Sequence, residues 1–312
     1  MISRMAYSSN KSLYVLLFFG LMFLSATFSK QLWYEIEWRT ENPYATPRNS
    51  SMDEQSFQTG PDNTSTKLGD GCYHIFLDMG ANVGVHGRFL LEPDKYEGAG
   101  TAQAIYNEHF GPVEKRNNSD FCVFAFEPNP AHKARHLELQ DVYGKLGWRY
   151  HFEHVALSDV EGNLTFYHQD NGRSNEWGFS THAHEGVSEQ TNETVPSIRF
   201  AKWMEEHFQN RIIPEEPNNK DALPPTVVMK FDIEGSEYEV IFDLLFSGLF
   251  CDVVDYAFGE LHPWGTRPKN LMEEVIKVFN EQKDGTCKTK RIDFLDDESY
   301  LMDGIPLPDV PE

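Results

Sequence analysis

The sequence predicts an α/β fold built on a mostly parallel sheet with helices on both faces. Short, nearly continuous apolar runs alternate with helix-length segments from about residue 71 onward. Chemistry-bearing side chains recur at the ends of those runs, at Asp78, Glu127, Asp232 and Glu260. The first run, Phe76-Leu77-Asp78-Met79-Gly80-Ala81-Asn82-Val83-Gly84, passes from a strand into a turn with two glycines four apart. Many α/β folds use such a turn to bring backbone close to a nucleotide-like ligand. The glycines free the backbone and leave room for a ligand edge.

Residues 73–78 read as the first strand and 83–91 as the helix after it. Residues 92–120 form a long polar connection with a short helix near 101–109. The run 121–126 is a second strand, closed by Glu127-Pro128-Asn129-Pro130, and 131–143 is helical. Residues 148–157 read as a third strand, and 163–167 as an added one after the turn Glu161-Gly162. The polar, proline-interrupted stretch 168–225 holds a short helix at 200–208, and its length suggests a functional segment. With Trp177, His182 and His184 it is the candidate acceptor lid. Strand four covers 226–231, a helix 236–249, strand five 253–258 and a further helix 269–282. Residues 288–295 and 299–301 are expected to form a terminal antiparallel pair.

A net charge of −22 without a basic cluster argues against a nucleic-acid partner. The four cysteines, Cys72, Cys122, Cys251 and Cys287, have no zinc-type spacing. Their even number allows two disulfides, with free buried thiols as the alternative.

Near the N-terminus, an apolar run from Leu13 to Leu24, extending weakly to Phe28, follows Arg4 and Lys11. About 16 helical residues would span roughly 24 Å. Lys30 is soon followed by Glu35 and Glu37, so the positive-inside bias leaves the N-terminus cytosolic. The expected organisation is a tail over 1–12, a signal-anchor helix over 13–29, a flexible stem over 30–70 and a folded domain over 71–312. This describes a single-pass type II membrane protein of the Golgi or another endomembrane, with a luminal domain. Secretion after signal-peptide cleavage is the alternative. Sequons at Asn49, Asn63, Asn117, Asn163 and Asn192 suit that placement.

Ligands of open parallel sheets sit beyond the carboxyl ends of the strands. Glu127 is placed to accept from two ribose hydroxyls, and Asp159 could meet a purine amino group. Asp232, Glu234 and His262 are the candidates to assist loss of a proton, His262 being the easier base on its ordinary pKa. Glu237 and Glu239, on the following helix, read as solvated or helix-dipole residues. Lys230, inside a strand, is expected to pair with a carboxylate. Asp232, Glu234, Glu260 and His262 also have ligand types that could hold a divalent metal. Their separation in sequence does not show that they converge, and no metal is assigned.

The ordered set resembles the FkbM family of S-adenosylmethionine-dependent methyltransferases. The matching pieces are Leu77-Asp78-Met79-Gly80-Ala81-Asn82-Val83-Gly84, Phe126-Glu127-Pro128-Asn129-Pro130, Ala156-Leu157-Ser158-Asp159 with Gly162, and Lys230-Phe231-Asp232-Ile233-Glu234-Gly235-Ser236-Glu237. The turn Gly178-Phe179-Ser180 and the strand-then-helix run 195–206 also resemble that family's middle segment. The resemblance implies a class I methyltransferase fold, with a seven-stranded sheet whose last strand is antiparallel. It implies that Asp78, Gly80, Asn82 and Gly84 hold the methionine part of S-adenosylmethionine, Glu127 the ribose and Asp159 the adenine. The expected activity is O-methylation of a glycan or small-molecule hydroxyl in the secretory pathway. A nucleotide-sugar or NAD enzyme on a similar sheet is one alternative. A membrane-anchored glycan-binding domain without turnover is the other.

Overall fold

Strand β1 (His74–Met79) lies at the centre of a six-stranded sheet. Its neighbours are β2 (Phe121–Phe126) and β7 (Val227–Phe231), and the order across the sheet is β3-β2-β1-β7-β8-β9. Here β3 is Arg149–Glu153, β8 Tyr256–Gly259 and β9 Arg291–Phe294, and every pairing is parallel. The computed structural model describes residues 66–96, 99–169, 178–183, 187–215, 223–262, 269–282, 285, 287–295 and 304–310.

Alternation along the strands feeds two cores, which is why they read as unbroken apolar runs. Ile75, Leu77 and Met79 of β1 join Cys122, Phe124 and Phe126 of β2 and Val227, Met229 and Phe231 of β7 on one face. Helices α4 (Phe200–His207), α5 (Glu237–Ser247), α6 (Leu249–Val253) and α7 (Lys269–Gln282) supply the residues that cover it. Phe76, Val123 and Val228 point to the other face, under α1 (Val85–Leu91), α2 (Gly100–Phe110) and α3 (Pro130–Lys145). The connection between β1 and Glu127 is therefore a packed layer, since Ile105, Tyr106 and Phe110 of α2 belong to this core.

A second sheet has the order β4-β6-β5, from β4 (Ala156–Ser158), β5 (Gly162–Gln169) and β6 (Val187–Arg199). Residues 148–157, expected as one strand, divide between the sheets. β3 pairs with β2 as far as Glu153, and β4 then pairs with β6. Of β6, only the end was read in sequence, within the strand-then-helix run 195–206, because residues 187–194 are a polar stretch with no apolar run.

The sheet differs from the expected seven strands with an antiparallel last member. Among the described residues it has six, and β9 runs parallel to β8. Residues 299–301, the expected partner strand, lie outside the described residues. Next to Gly71, the Gly69 N–H donates to the His207 carbonyl, and the Asp70 carboxylate accepts from the Ile212 N–H at 2.7 Å.

Both disulfides form. Cys72–Cys122 joins the entry of β1 to β2, and Cys251–Cys287 joins α6 to the segment before β9. Asn117, Asn163 and Asn192 are exposed.

The expected single-pass membrane placement is corrected. Among the described residues, no helix is long and apolar enough to cross a membrane. Residues 13–29, on which the anchor was read, lie outside the described residues, as does the stem up to residue 65.

Candidate active site

The carboxyl ends of β1, β2, β7 and β8 are joined by main-chain hydrogen bonds. Gly80 and Ala81 both donate to the Phe126 carbonyl at 3.0 Å, Asp232 donates to Met79 at 3.0 Å, and Glu260 donates to Phe231 at 2.9 Å. Gly80 is required here for an internal reason. Its φ is +75°, and a Cβ would stand 1.7 Å from the Asp232 carbonyl oxygen. The glycine makes room for the neighbouring strand end rather than for a ligand edge.

Asn82 follows in the left-handed region, with φ of +48°. Its N–H donates to Glu127 Oε2 at 2.7 Å, across the whole inserted segment. Its carbonyl accepts from His136 Nε2 at 2.7 Å. Because a carbonyl can only accept, His136 carries its proton on Nε2, and Nδ1 accepts from the Tyr150 hydroxyl at 2.8 Å. The ring lies flat on Phe152 at 4.4 Å, and burial lowers its pKa to about 4.

Glu127 spends its second oxygen on the Asn129 N–H at 2.8 Å, with His132 Nδ1 3.7 Å away. Burial works against its ionisation, but His132 and the Asn129 N–H outweigh burial and hold its pKa below the usual carboxylate value. Two oxygens offer about four lone-pair sites, so the carboxylate keeps acceptor capacity.

Asp78 is the most enclosed group, with no exposed surface, and neither carboxylate oxygen has a hydrogen-bond partner. Lys230, directly across on β7, brings its Nζ to 3.9 Å from Oδ1. Burial raises the Asp78 pKa against that attraction. Lys230 spends itself on the Gly80 carbonyl at 2.9 Å and on Asp232 Oδ2 at 3.1 Å.

The second half of the site is the loop after β7, Asp232-Ile233-Glu234-Gly235. Glu234 has φ of +51° and Gly235 φ of +105°. Glu237, read in sequence as a solvated helix residue, is completely buried. It accepts from the Ile233 N–H at 3.0 Å, the Gly235 N–H at 3.1 Å and His262 Nδ1 at 2.7 Å. Ser180 donates to the Glu234 carbonyl at 2.7 Å, which ties the Gly178-Phe179-Ser180 turn to the same loop.

His262 Nε2 consequently faces Glu260 Oε2 at 3.5 Å, Glu234 Oε2 at 3.6 Å and Asp232 Oδ1 at 3.9 Å. Burial would lower the His262 pKa, but the bond to Glu237 and the surrounding carboxylates push it up to about 10. It is therefore an imidazolium near neutrality, which corrects its reading as the easier base. Asp232 is held low because Lys230 and His262 outweigh its burial, whereas burial and neighbouring carboxylates raise Glu234 well above its usual value.

The structure thus gathers Asp78, Gly80, Asn82 and Glu127 at one side, with Gly84 closing the turn onto the Ala81 carbonyl at 2.7 Å. It gathers Asp232, Glu234 and His262 at the other side, with Lys230 bridging the halves. Asp159 does not join them. It lines a surface cleft with Val160, Arg199, Lys202, Phe242 and Phe246. Of the expected lid, Trp177 and His184 lie outside the described residues, and His182 Nδ1 is 2.9 Å from Thr181 Oγ1. Sequence reasoning missed His136, Ser180 and the burial of Glu237. The signal for Glu237 was its place in Asp-x-Glu-Gly-x-Glu, while nothing local marked His136.

A parallel sheet carrying acidic groups at four adjacent strand ends is a Rossmann-like layout, in which ligands sit beyond the carboxyl ends of the strands. The chain belongs to the FkbM methyltransferases: residues 78–284 match the Methyltransferase FkbM domain. It is a methyltransferase, and methyltransferases of this family generally use S-adenosylmethionine. Comparison with curated proteins finds no match, and neither does comparison with solved structures.

Proposed function

We propose that the protein binds S-adenosylmethionine at the Asp78–Glu127 side and methylates a hydroxyl of a glycan or glycoconjugate at the Asp232–His262 side. One observation carries the reading: Asp78 is wholly enclosed, and both its oxygens are without donors. Lys230 Nζ stands 3.9 Å from Oδ1 and bonds elsewhere, so this carboxyl still calls for a direct hydrogen-bond donor, and S-adenosylmethionine offers an ammonium. The unpartnered Asn82 Oδ1 and the remaining acceptor capacity of Glu127 fit the same ligand. Asp78 and Asn82 would hold the methionine end, on the turn that Gly80 and Gly84 allow, and Glu127 the ribose. The placement of Asp159 gives no support to an adenine contact, and that role is not carried into this reading.

When bound, the cofactor supplies an electrophilic methyl carbon on a sulfonium sulfur. The chain's own task is to align the acceptor oxygen with that carbon and to take up the proton it releases. Asp232, Glu234 and His262 form the proton-handling end, with the carboxylates as the accepting groups and the His262 imidazolium holding them together. Ser180 and Glu237 position this loop without touching the reacting atoms. The two disulfides support folding in an oxidising compartment such as the secretory pathway.

The test is equilibrium binding of labelled S-adenosylmethionine to the full chain, followed by methyl transfer to a panel of glycans. Asp78→Ala is expected to lose cofactor binding while remaining folded by circular dichroism. Normal binding by a folded Asp78→Ala protein would overturn the assignment.

A further inference from the structure

We propose that Asp232, Glu234 and His262 form the seat of a divalent transition-metal cation, with Glu260 beside it and Glu237 as the outer carboxylate that orients the histidine. One ligand atom from each of the three residues can be chosen so that all lie within 4.8 Å of one another. The set offers two carboxylate oxygens and one imidazole nitrogen, a donor mixture suited to manganese, iron or zinc rather than to calcium.

Four observations support a cation here over a plain cluster of charges. The first is the spacing around His262: carboxylate oxygens of Glu260, Glu234 and Asp232 stand 3.5 to 3.9 Å from Nε2. Atoms bound to one ion through bonds of about 2.1 Å sit roughly 3 to 4.2 Å apart, so this spacing is that of ligands around a shared centre.

The second is Glu234 Oε2, which is buried, has no hydrogen-bond partner and lies 3.6 Å from Nε2. The third is the outer arrangement. A ligating histidine commonly gives its other N–H to a carboxylate, which sets the ring's orientation toward the metal. Glu237, fully buried and held by the Ile233 and Gly235 N–H groups, is that partner. The fourth is charge: four carboxylates, Asp232, Glu234, Glu237 and Glu260, converge on one histidine, while Lys230 Nζ pairs with Asp232 at 3.1 Å.

The left-handed backbone at Glu234 follows from the same geometry. It turns that side chain back toward His262 while Ser180 holds its carbonyl. A cation bound here takes the place of the proton on His262 Nε2, so its binding releases that proton and tightens as pH rises. The cation would polarise an acceptor hydroxyl and ease loss of its proton. The metal seat goes beyond the methyl-transfer reading and does not depend on which acceptor is used.

Manganese(II) is the probe, titrated into the full chain with binding followed by electron paramagnetic resonance and calorimetry, without cofactor or acceptor. The expected result is one saturable site. Glu234→Gln and Asp232→Asn should each weaken it by at least tenfold, and Glu237→Gln by about 10- to 100-fold through the histidine. Glu161→Gln, on the surface, serves as the control and should bind like the parent. Circular dichroism and thermal melts establish that each variant is folded. Absence of saturable binding by the parent would overturn the proposal. So would unchanged binding by folded Glu234→Gln and Asp232→Asn. Cofactor binding measured on the same samples keeps this outcome separate from failure of the Asp78 assignment.

Discussion

His136 joins acid stability to the cofactor turn, and the two effects can be separated with one variant. Its Nε2–H holds the Asn82 carbonyl, and its Nδ1 holds the Tyr150 hydroxyl. His136→Phe keeps an aromatic ring against Phe152 but strands both groups in the interior. An unpaired buried polar group costs about 1–3 kcal/mol, so with two such groups the variant should lose roughly 2–6 kcal/mol near neutrality. Burial lowers the His136 pKa from 6.5 to about 4 in the folded chain. A depressed folded pKa stabilises above the unfolded value and loses that contribution as pH falls toward the folded one. A shift of this size corresponds to about 3 kcal/mol. The parent should therefore lose stability between about pH 6.5 and 4 through this residue, and the variant should not. His74, also lowered to about 4 by burial and then by Arg211, titrates in the same window, as do the carboxylates. Those contributions are common to both proteins and cancel in the difference. The assay is urea unfolding of parent and variant from about pH 7 to about pH 4.5, and the stability gap should shrink by about 2–3 kcal/mol. A gap that stays constant with pH would refute the assignment of a neutral, doubly bonded His136.

Two further outcomes follow from the other half of the site and from the cross-links. Ser180→Ala removes the donor to the Glu234 carbonyl and should cost about 1–3 kcal/mol. Because Ser180 contacts the Glu234 loop, methyl-transfer rate should fall while cofactor affinity holds; equal losses in both would contradict a positioning role confined to that loop. The disulfides close sequence separations of 50 and 36 residues. Chain entropy assigns each about 4 kcal/mol, so reduction, or a Cys251→Ala/Cys287→Ala pair, should lower the urea midpoint. A midpoint unchanged by reductant would show that the closed loops contribute nothing.

Legibility in the sequence followed the physics of each element. β2 and α7 were read with the bounds observed, because an unbroken apolar run and a long amphipathic segment are strong local signals. Most of β6 was not read, since residues 187–194 are largely polar and carry no alternation; only its end was caught, in the run 195–206. The junction between β3 and β4 failed for another reason: propensity continues across it, and only the choice of pairing partner changes. At the site, residue types at strand ends located Asp78, Glu127, Asp232, Glu234 and His262, but their ionisation was set by neighbours distant in sequence. His262 became an imidazolium because Glu237, read as solvated, is buried against it. Glu237 looks like a helix N-terminal acid in sequence, and in the fold it does that work too, accepting from the Ile233 and Gly235 N–H groups before its helix. The same carboxylate thus shapes the loop and fixes the histidine, and neutralising it alone would disturb both. A Glu237→Gln amide can still accept from those N–H groups through its oxygen but has lost the charge that favours the imidazolium. The two roles are therefore separable: the loop should survive the substitution, and with it the bond that aims His262, while the charge state of His262 should not.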